Sequence, residues 1–278
     1  MKTIVSFGAC GERVASFFRG KKSYNVKCVS DKPINDDTIR FPTVSWEQWI
    51  TDIENRFPND LMEKLGAIDR EVAVILRGGS DISIGACMFL DKIKDHDIDI
   101  IFLKTEANKK QDFLFQLLQE KTRHGSYSNM FIFDSAKIQK QISGLTLKNL
   151  HDKVNSQVAT SYQQYDWCRH SAPSVSFVSE TKEYARICSL TVINKENALS
   201  MSELEQPLEA DIRYLVPSTV FDKDEGLIDR IKVNNEKVKS VVAGNISHAI
   251  YETPNEDQSE RAIVCYKTQM IQGYISSQ

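Results

Sequence analysis

The chain has 278 residues, 41% hydrophobic and 26% charged, which is enough for a large core and far from the composition of disordered chains. A formal net charge of −3 gives no bulk electrostatic reason to bind nucleic acid, and no run approaches the ~18 apolar residues of a membrane span. The six cysteines (Cys10, Cys28, Cys87, Cys168, Cys188, Cys265) are scattered without a CxxC pair, so they read as buried thiols in a reducing compartment, not as a disulfide framework or metal site.

Lys2 to Phe7 is a short β-branched strand, entered directly from Met1 without the apolar stretch of a signal peptide. These features together read as a soluble cytoplasmic protein. Gly8-Ala9-Cys10-Gly11 ends the strand, and a helix follows with Val14, Phe17 and Phe18 on its apolar side. Val26 to Ser30 reads as a second strand. Ser45 is an expected N-cap for a helical stretch that reaches Leu65 and breaks at Pro58. Glu71 to Leu76 is a continuous apolar strand of the kind buried in a parallel sheet. Gly78-Gly79-Ser80-Asp81 turns the chain into a helix from Ile84 to Ile93. The alternation continues with a strand at Ile98–Leu103, a helix at Phe113–Glu120 and a strand at Met130–Phe133. Such alternation predicts right-handed βαβ crossovers, hence an α/β, doubly wound parallel-sheet domain of the nucleotide-binding type.

The longest helical pattern runs from Thr146 to about Trp167, with Leu147, Leu150, Val154, Val158, Tyr162 and Tyr165 at helical spacing. Beyond Pro173 short strands dominate: 175–178, 185–193, 210–216, 238–243, 249–252 and 261–266. Helical pieces are expected near Ser202–Glu205 and Gly226–Val233. A turn at Thr253 to Asp257 suggests a closing hairpin. The domains expected are 1–145, a Rossmann-like unit; 146–170, a central helix and the loop after it; and 171–278, a smaller mixed α+β unit.

Two loops could carry chemistry. Gly8 to Gly11 stands between the first strand and the first helix, where backbone N–H groups and a helix N-terminus can meet an anion. Gly78-Gly79-Ser80-Asp81-Ile82-Ser83-Ile84-Gly85 is a second strand-to-helix loop with flexible backbone and two hydroxyls, the parts of a phosphate cradle. Against that use, Asp81 would repel a phosphate. Asp95, Asp97 and Asp99 read as a solvated turn, and the five histidines show no metal-ligand spacing.

In order along the chain these features resemble the tubulin/FtsZ family. A first strand ends in a glycine loop, and Gly78 to Ala86 stands where the family carries its GGGTGTG signature. A strand ending in Leu103-Lys104-Thr105 leads to a charged stretch and a helix. Phe131 to Ile138 resembles the FtsZ strand with its PNDKL-type turn, and the helix from Thr146 resembles the central core helix. The resemblance covers nearly the whole chain with degenerate motifs. The signature loop keeps Gly78, Gly79 and Gly85 but loses its central glycines, and the glycine-rich loop expected before Glu71 is absent. In place of the family's NxDxxD-like acids stands Tyr165-Asp166-Trp167-Cys168-Arg169-His170.

The resemblance implies a cytoskeletal or assembly protein that binds GTP or GDP, with Mg, through Gly8, Gly11, Gly78, Gly79, Ser80, Ser83 and Gly85. It implies head-to-tail self-association into filaments or oligomers, and weak, assembly-dependent GTP hydrolysis with Asp166 as the catalytic acid. The eroded glycine loop keeps two alternatives open: a structural protein that retains the fold for assembly but has lost nucleotide, and an unrelated Rossmann-type nucleotide-using enzyme.

Overall fold

The computed structural model describes residues 1–105, 109–177, 185–195, 197–253 and 259–273. Two compact units are present: Met1–Ala159 together with the segment from Ile271, and Thr160–Met270.

The first unit alternates strand and helix: β1 (Lys2–Phe7), α1 (Gly8–Ala15), β2 (Tyr24–Ser30), β3 (Ile39–Arg40), α2 (Trp46–Arg56), α3 (Leu61–Leu65), β4 (Glu71–Arg77), α4 (Ile82–Lys92), β5 (Asp97–Lys104), α5 (Lys109–Arg123), β6 (Asn129–Asp134), α6 (Ser135–Gln141) and α7 (Leu150–His170). Strands β3-β2-β1-β4-β5-β6 lie side by side in that order, and every pairing is parallel. Val72 to Leu76 in β4 are all buried, as a strand covered on both faces demands. Ser45 caps α2 in a reciprocal box: its hydroxyl accepts from the Gln48 N–H, while Gln48 Oε1 accepts from the Ser45 N–H at 3.0 Å. Around Phe41 an aromatic cluster forms, with Phe7 at 6.0 Å, Trp49 stacked at 5.6 Å and Phe57 at 6.1 Å.

Two buried carboxylates hold this unit together in ways the sequence did not suggest. Asp99 is no solvated turn residue. It is buried in β5, with Lys2 Nζ at 3.2 Å and the Asn129 amide donating at 2.9 Å. Glu12, buried in α1, accepts from the backbone N–H groups of Ile34 and Asn35, from the Asn35 amide and from the Thr38 hydroxyl, so it clamps the connection between β2 and β3. The segment from Ile271 is tied to α5, where the Gln119 amide both donates to and accepts from the backbone of Gln272.

The division between units falls inside α7. Leu147 precedes the helix and is exposed, whereas Val154, Val158, Tyr162 and Tyr165 are buried. Helix α7 also continues through His170, so Tyr165 to His170 is helix and not the expected loop.

The second unit contains β7 (Val175–Phe177), β8 (Ile187–Asn194), β9 (Ala198–Ser200), β10 (Glu209–Pro217), α8 (Ser218–Phe221), α9 (Leu227–Lys239), β11 (Ile246–Thr253) and β12 (Arg261–Thr268). Its sheet runs β8-β12-β10-β11-β7, with β9 on β8. Only β10 and β11 pair in parallel, joined by a crossover through α9; the other pairings are antiparallel. On one face Ile212, Tyr214 and Val216 pack with Leu227, Ile231 and Val238 of α9. On the other the Tyr165 hydroxyl of α7 donates to Asp211, which also holds Arg213 and Ser247.

Three expectations fail here. Residues 238–239 end α9 and 240–241 form a turn, so 238–243 is not a strand, and 202–205 is irregular. Strands β11 and β12 form no hairpin, because β10 separates them. The turn read at 254–257 lies outside the described residues.

Candidate functional site

In a parallel sheet of order 3-2-1-4-5-6 the crossovers leave in opposite directions from β1 and β4, and the crevice outside their carboxyl ends is where such folds receive ligands. A cavity of about 790 Å³ opens there. Ala9, Cys10 and Arg13 reach it from the first turns of α1, Arg77 from the end of β4, and Gly78 to Ser80 from the loop after it. Thr105 follows β5, Ser135 and Ala136 follow β6, and His151, Val154 and Asn155 come from α7. His151 and Asn155, four residues apart, project from one helix face.

The loop after β4 is set by its neighbours. Gly79 has φ +74°, a left-handed conformation that suits glycine. The Ser83 hydroxyl donates to the Arg77 carbonyl at 2.8 Å and closes the loop. Gln111, fully buried in α5, accepts from the Thr105 hydroxyl, and that hydroxyl also lies 3.2 Å from the Gly78 carbonyl. Gln111 is therefore the floor of the loop, a role that no sequence motif announced.

The glycines named from the sequence divide into groups. Gly78, Gly79 and Ser80 line the cavity. Gly8 (φ +78°) stands next to it, and a Cβ there would lie 3.0 Å from Ile82 Cγ2 and 3.6 Å from Ser80 Oγ. Gly11 faces the sheet: a Cβ would meet the Ile75 carbonyl at 3.3 Å, so its absence lets α1 settle on β4. Ser83 is buried beneath the loop. Gly85 serves the aromatic cluster, where a Cβ would stand 2.9 Å from both Phe41 and Trp49. Asp166 lies in the second unit and is not among the cavity residues. It is 4% exposed, and His170 Nδ1 sits 2.8 Å from its backbone carbonyl.

The cavity's charge is one-sided. Arg13 and Arg77 are exposed at its rim and pair with no carboxylate among the described residues; no described carboxylate lines the cavity. Asp81 is turned to Lys110 instead, at 3.5 Å. Burial pushes the Cys10 thiol above its ordinary range, while the Arg77 and Arg13 guanidiniums pull it the other way. Helix N-terminal N–H groups, hydroxyls and two free guanidiniums suit a phosphate-bearing ligand. The carboxylate by which Mg²⁺ is generally held in nucleotide sites is not among the described lining residues.

No protein-family model matches the chain, and no curated protein does. Solved structures do. A GTPγS-form protofilament of TubZ from Bacillus thuringiensis serovar israelensis matches with a TM-score of 0.66 at 14% identity, covering 98% of this chain and 88% of that one. CetZ from Methanosaeta thermophila gives 0.60 at 13%, covering 97% and 87%. The empty FtsZ dimer of M. jannaschii gives 0.60 at 9%, covering 96% and 88%. The chain has a tubulin/FtsZ-like fold. No helix among the described residues is long and apolar enough to cross a membrane.

Proposed function

We propose that this chain is a tubulin/FtsZ-like cytoskeletal assembly protein that takes GTP or GDP in the cavity at the carboxyl ends of β1, β4, β5 and β6. The observation that carries the reading is the cavity itself: about 790 Å³, two guanidiniums unpaired among the described residues, and no described carboxylate in its lining. Its volume lies in the usual range for small-molecule sites, roughly 300–1,000 Å³. The Arg77–Ser80 loop and the start of α1 take the phosphates. Asn155, which carries both an amide donor and a carbonyl acceptor, takes the base edge, with His151 beside it.

Support for assembly comes from the proteins that share the fold. TubZ forms protofilaments and FtsZ a dimer, and head-to-tail contacts between identical subunits yield open filaments when the rotation does not close. A second reading, assembly without turnover at Asp166, is favoured by one observation. A carboxylate that acts on a neighbouring subunit's nucleotide needs exposure, and Asp166 is buried within a helix.

The test has two parts. Purified protein is denatured and its released nucleotides separated by anion exchange; guanine nucleotide supports the cavity assignment, and another cofactor or none refutes it. Light scattering and phosphate release are then followed together over a protein concentration series with GTP. Scattering above a threshold concentration with phosphate release marks an assembly-dependent GTPase. Scattering without release marks the second reading, and flat scattering at every concentration removes assembly.

A further inference from the structure

Among the described residues that line the cavity, the charged side chains are of one sign. Arg13 leaves α1 one turn after the residues that line the end of β1, and Arg77 is the last residue of β4, the strand beside it. Both guanidiniums line the same cavity, with Cys10 in the same lining. A nucleoside diphosphate or triphosphate brings two to four negative charges, and a site that binds it must supply the balance. A divalent cation is one source; it is held to the protein by oxygen ligands, usually a carboxylate. Among the described residues the acids next to the lining are Asp81 and Asp134, which face Lys110 and Lys104 and lie outside the lining. Planar guanidiniums are the other source, because each offers paired N–H donors matched to two phosphate oxygens.

We infer that Arg13 and Arg77 together supply the positive charge at the phosphates that a divalent cation supplies elsewhere, so that nucleotide binding in this cavity is independent of Mg²⁺. The inference rests on the nucleotide reading above and assigns residues to it. Arg13, in α1 after β1, and Arg77, at the end of β4, stand on either side of the point where the sheet order reverses, so a phosphate chain lying across that point is gripped from both sides. Neither guanidinium must leave a carboxylate partner among the described residues to do so, which spares the cost of breaking an existing ion pair.

The experiment measures the affinity of nucleotide-stripped protein for fluorescent GDP and GTPγS, in excess EDTA and in millimolar Mg²⁺. For the unaltered protein the two conditions are expected to agree within about threefold. Arg77→Ala and Arg13→Ala should each weaken binding in EDTA by about tenfold or more, the loss of one charge-assisted contact, and Mg²⁺ should recover part of that loss. Arg77→Gln, which keeps a polar side chain but removes the charge, should behave like the alanine variant; circular dichroism checks that each variant is folded. Binding that collapses more than tenfold when Mg²⁺ is removed overturns the inference and leaves the nucleotide reading standing. So does unchanged affinity in the arginine variants. Absence of binding in both conditions overturns the nucleotide reading, and the inference falls with it.

Discussion

Gly78 and Gln111 are fitted to each other: a Cβ built on Gly78 would overlap the Gln111 side chain, and the same side chain receives the Thr105 hydroxyl. A methyl group at residue 78 must therefore push Gln111 off its partner. Gly78→Ala should destabilise the protein by about 1–3 kcal/mol, as overpacking does, and should weaken ligand binding. The double variant Gly78→Ala with Gln111→Ala should recover part of the stability loss, because the two sites are coupled. Additive losses in denaturant unfolding would mean that the pair is not fitted as described.

Cys10 is the one cysteine of the six that is not buried, and it lines the cavity. Native thiol titration should count one reactive group. Because burial raises its pKa, little thiolate forms near neutrality, and the labelling rate should climb with pH through and beyond the ordinary thiol range. Arg77→Ala removes a charge that stabilises the thiolate, so it should slow labelling at any fixed pH. Saturating GDP should protect Cys10. Labelling unaffected by GDP would place the nucleotide elsewhere.

Gly85 and the cavity glycines should separate experimentally. Gly85→Ala drives a methyl group against Phe41 and Trp49, and about 1–3 kcal/mol of stability should be lost. Nucleotide affinity of the folded fraction should stay unchanged, as read by equilibrium titration below the melting transition. A specific loss of affinity would return Gly85 to the binding site.

Glu12 is the hub of four hydrogen bonds to residues 34–38. Glu12→Ala should leave those donors without their acceptor and cost about 2–4 kcal/mol, since unsatisfied buried groups carry the penalty. Amide exchange of residues 31–38 should accelerate more than exchange in β4. Uniform acceleration would show that Glu12 supports the whole unit and not this connection.

Burial holds the His248 imidazole below its ordinary value; its ring stacks on Phe177 at 4.7 Å and lies 3.5 Å from the Asn235 amide. The unfolded chain takes up the proton first. The stabilisation is therefore complete above the unfolded pKa of about 6.5 and is lost as pH falls through it and then through the lower folded value. The melting temperature of the protein should decline more steeply below pH 6.5 than that of His248→Asn. Parallel curves would remove the assignment.

Much of the first unit was legible because its signals are local. The apolar run 71–76, the Ser45 N-cap and the alternation of strand with helix each depend on neighbours in sequence. The cavity was half legible. Gly78, Gly79 and Ser80 were found through their loop, but Gly11 and Gly85 look the same in sequence while serving α1–β4 packing and an aromatic cluster. Arg13 and Arg77 were missed because an arginine beside a glycine loop has no motif, and its meaning comes only from which charges are absent around it. Asp99 was misread for a similar reason: alternating acids look solvated until Lys2, 97 residues away, is found beside one of them. In the second unit the strand pairing was illegible, since β11 and β12 are consecutive and yet separated by β10.

That separation reaches beyond architecture, into the order in which the unit can be made. Strand β12 is the last of the described strands in sequence but lies inside the sheet, bonded to β8 on one side and β10 on the other. As synthesis proceeds, β8 and β10 exist as two unjoined edges until residues 261–268 have left the ribosome. Open edges of that kind are templates for pairing with other chains, so the unit is most exposed to a wrong encounter while β8 and β10 are out and β12 is not. Loss of β12 would also not trim the sheet; it would cut it in two, detaching the β8–β9 pair from the strands that α9 covers.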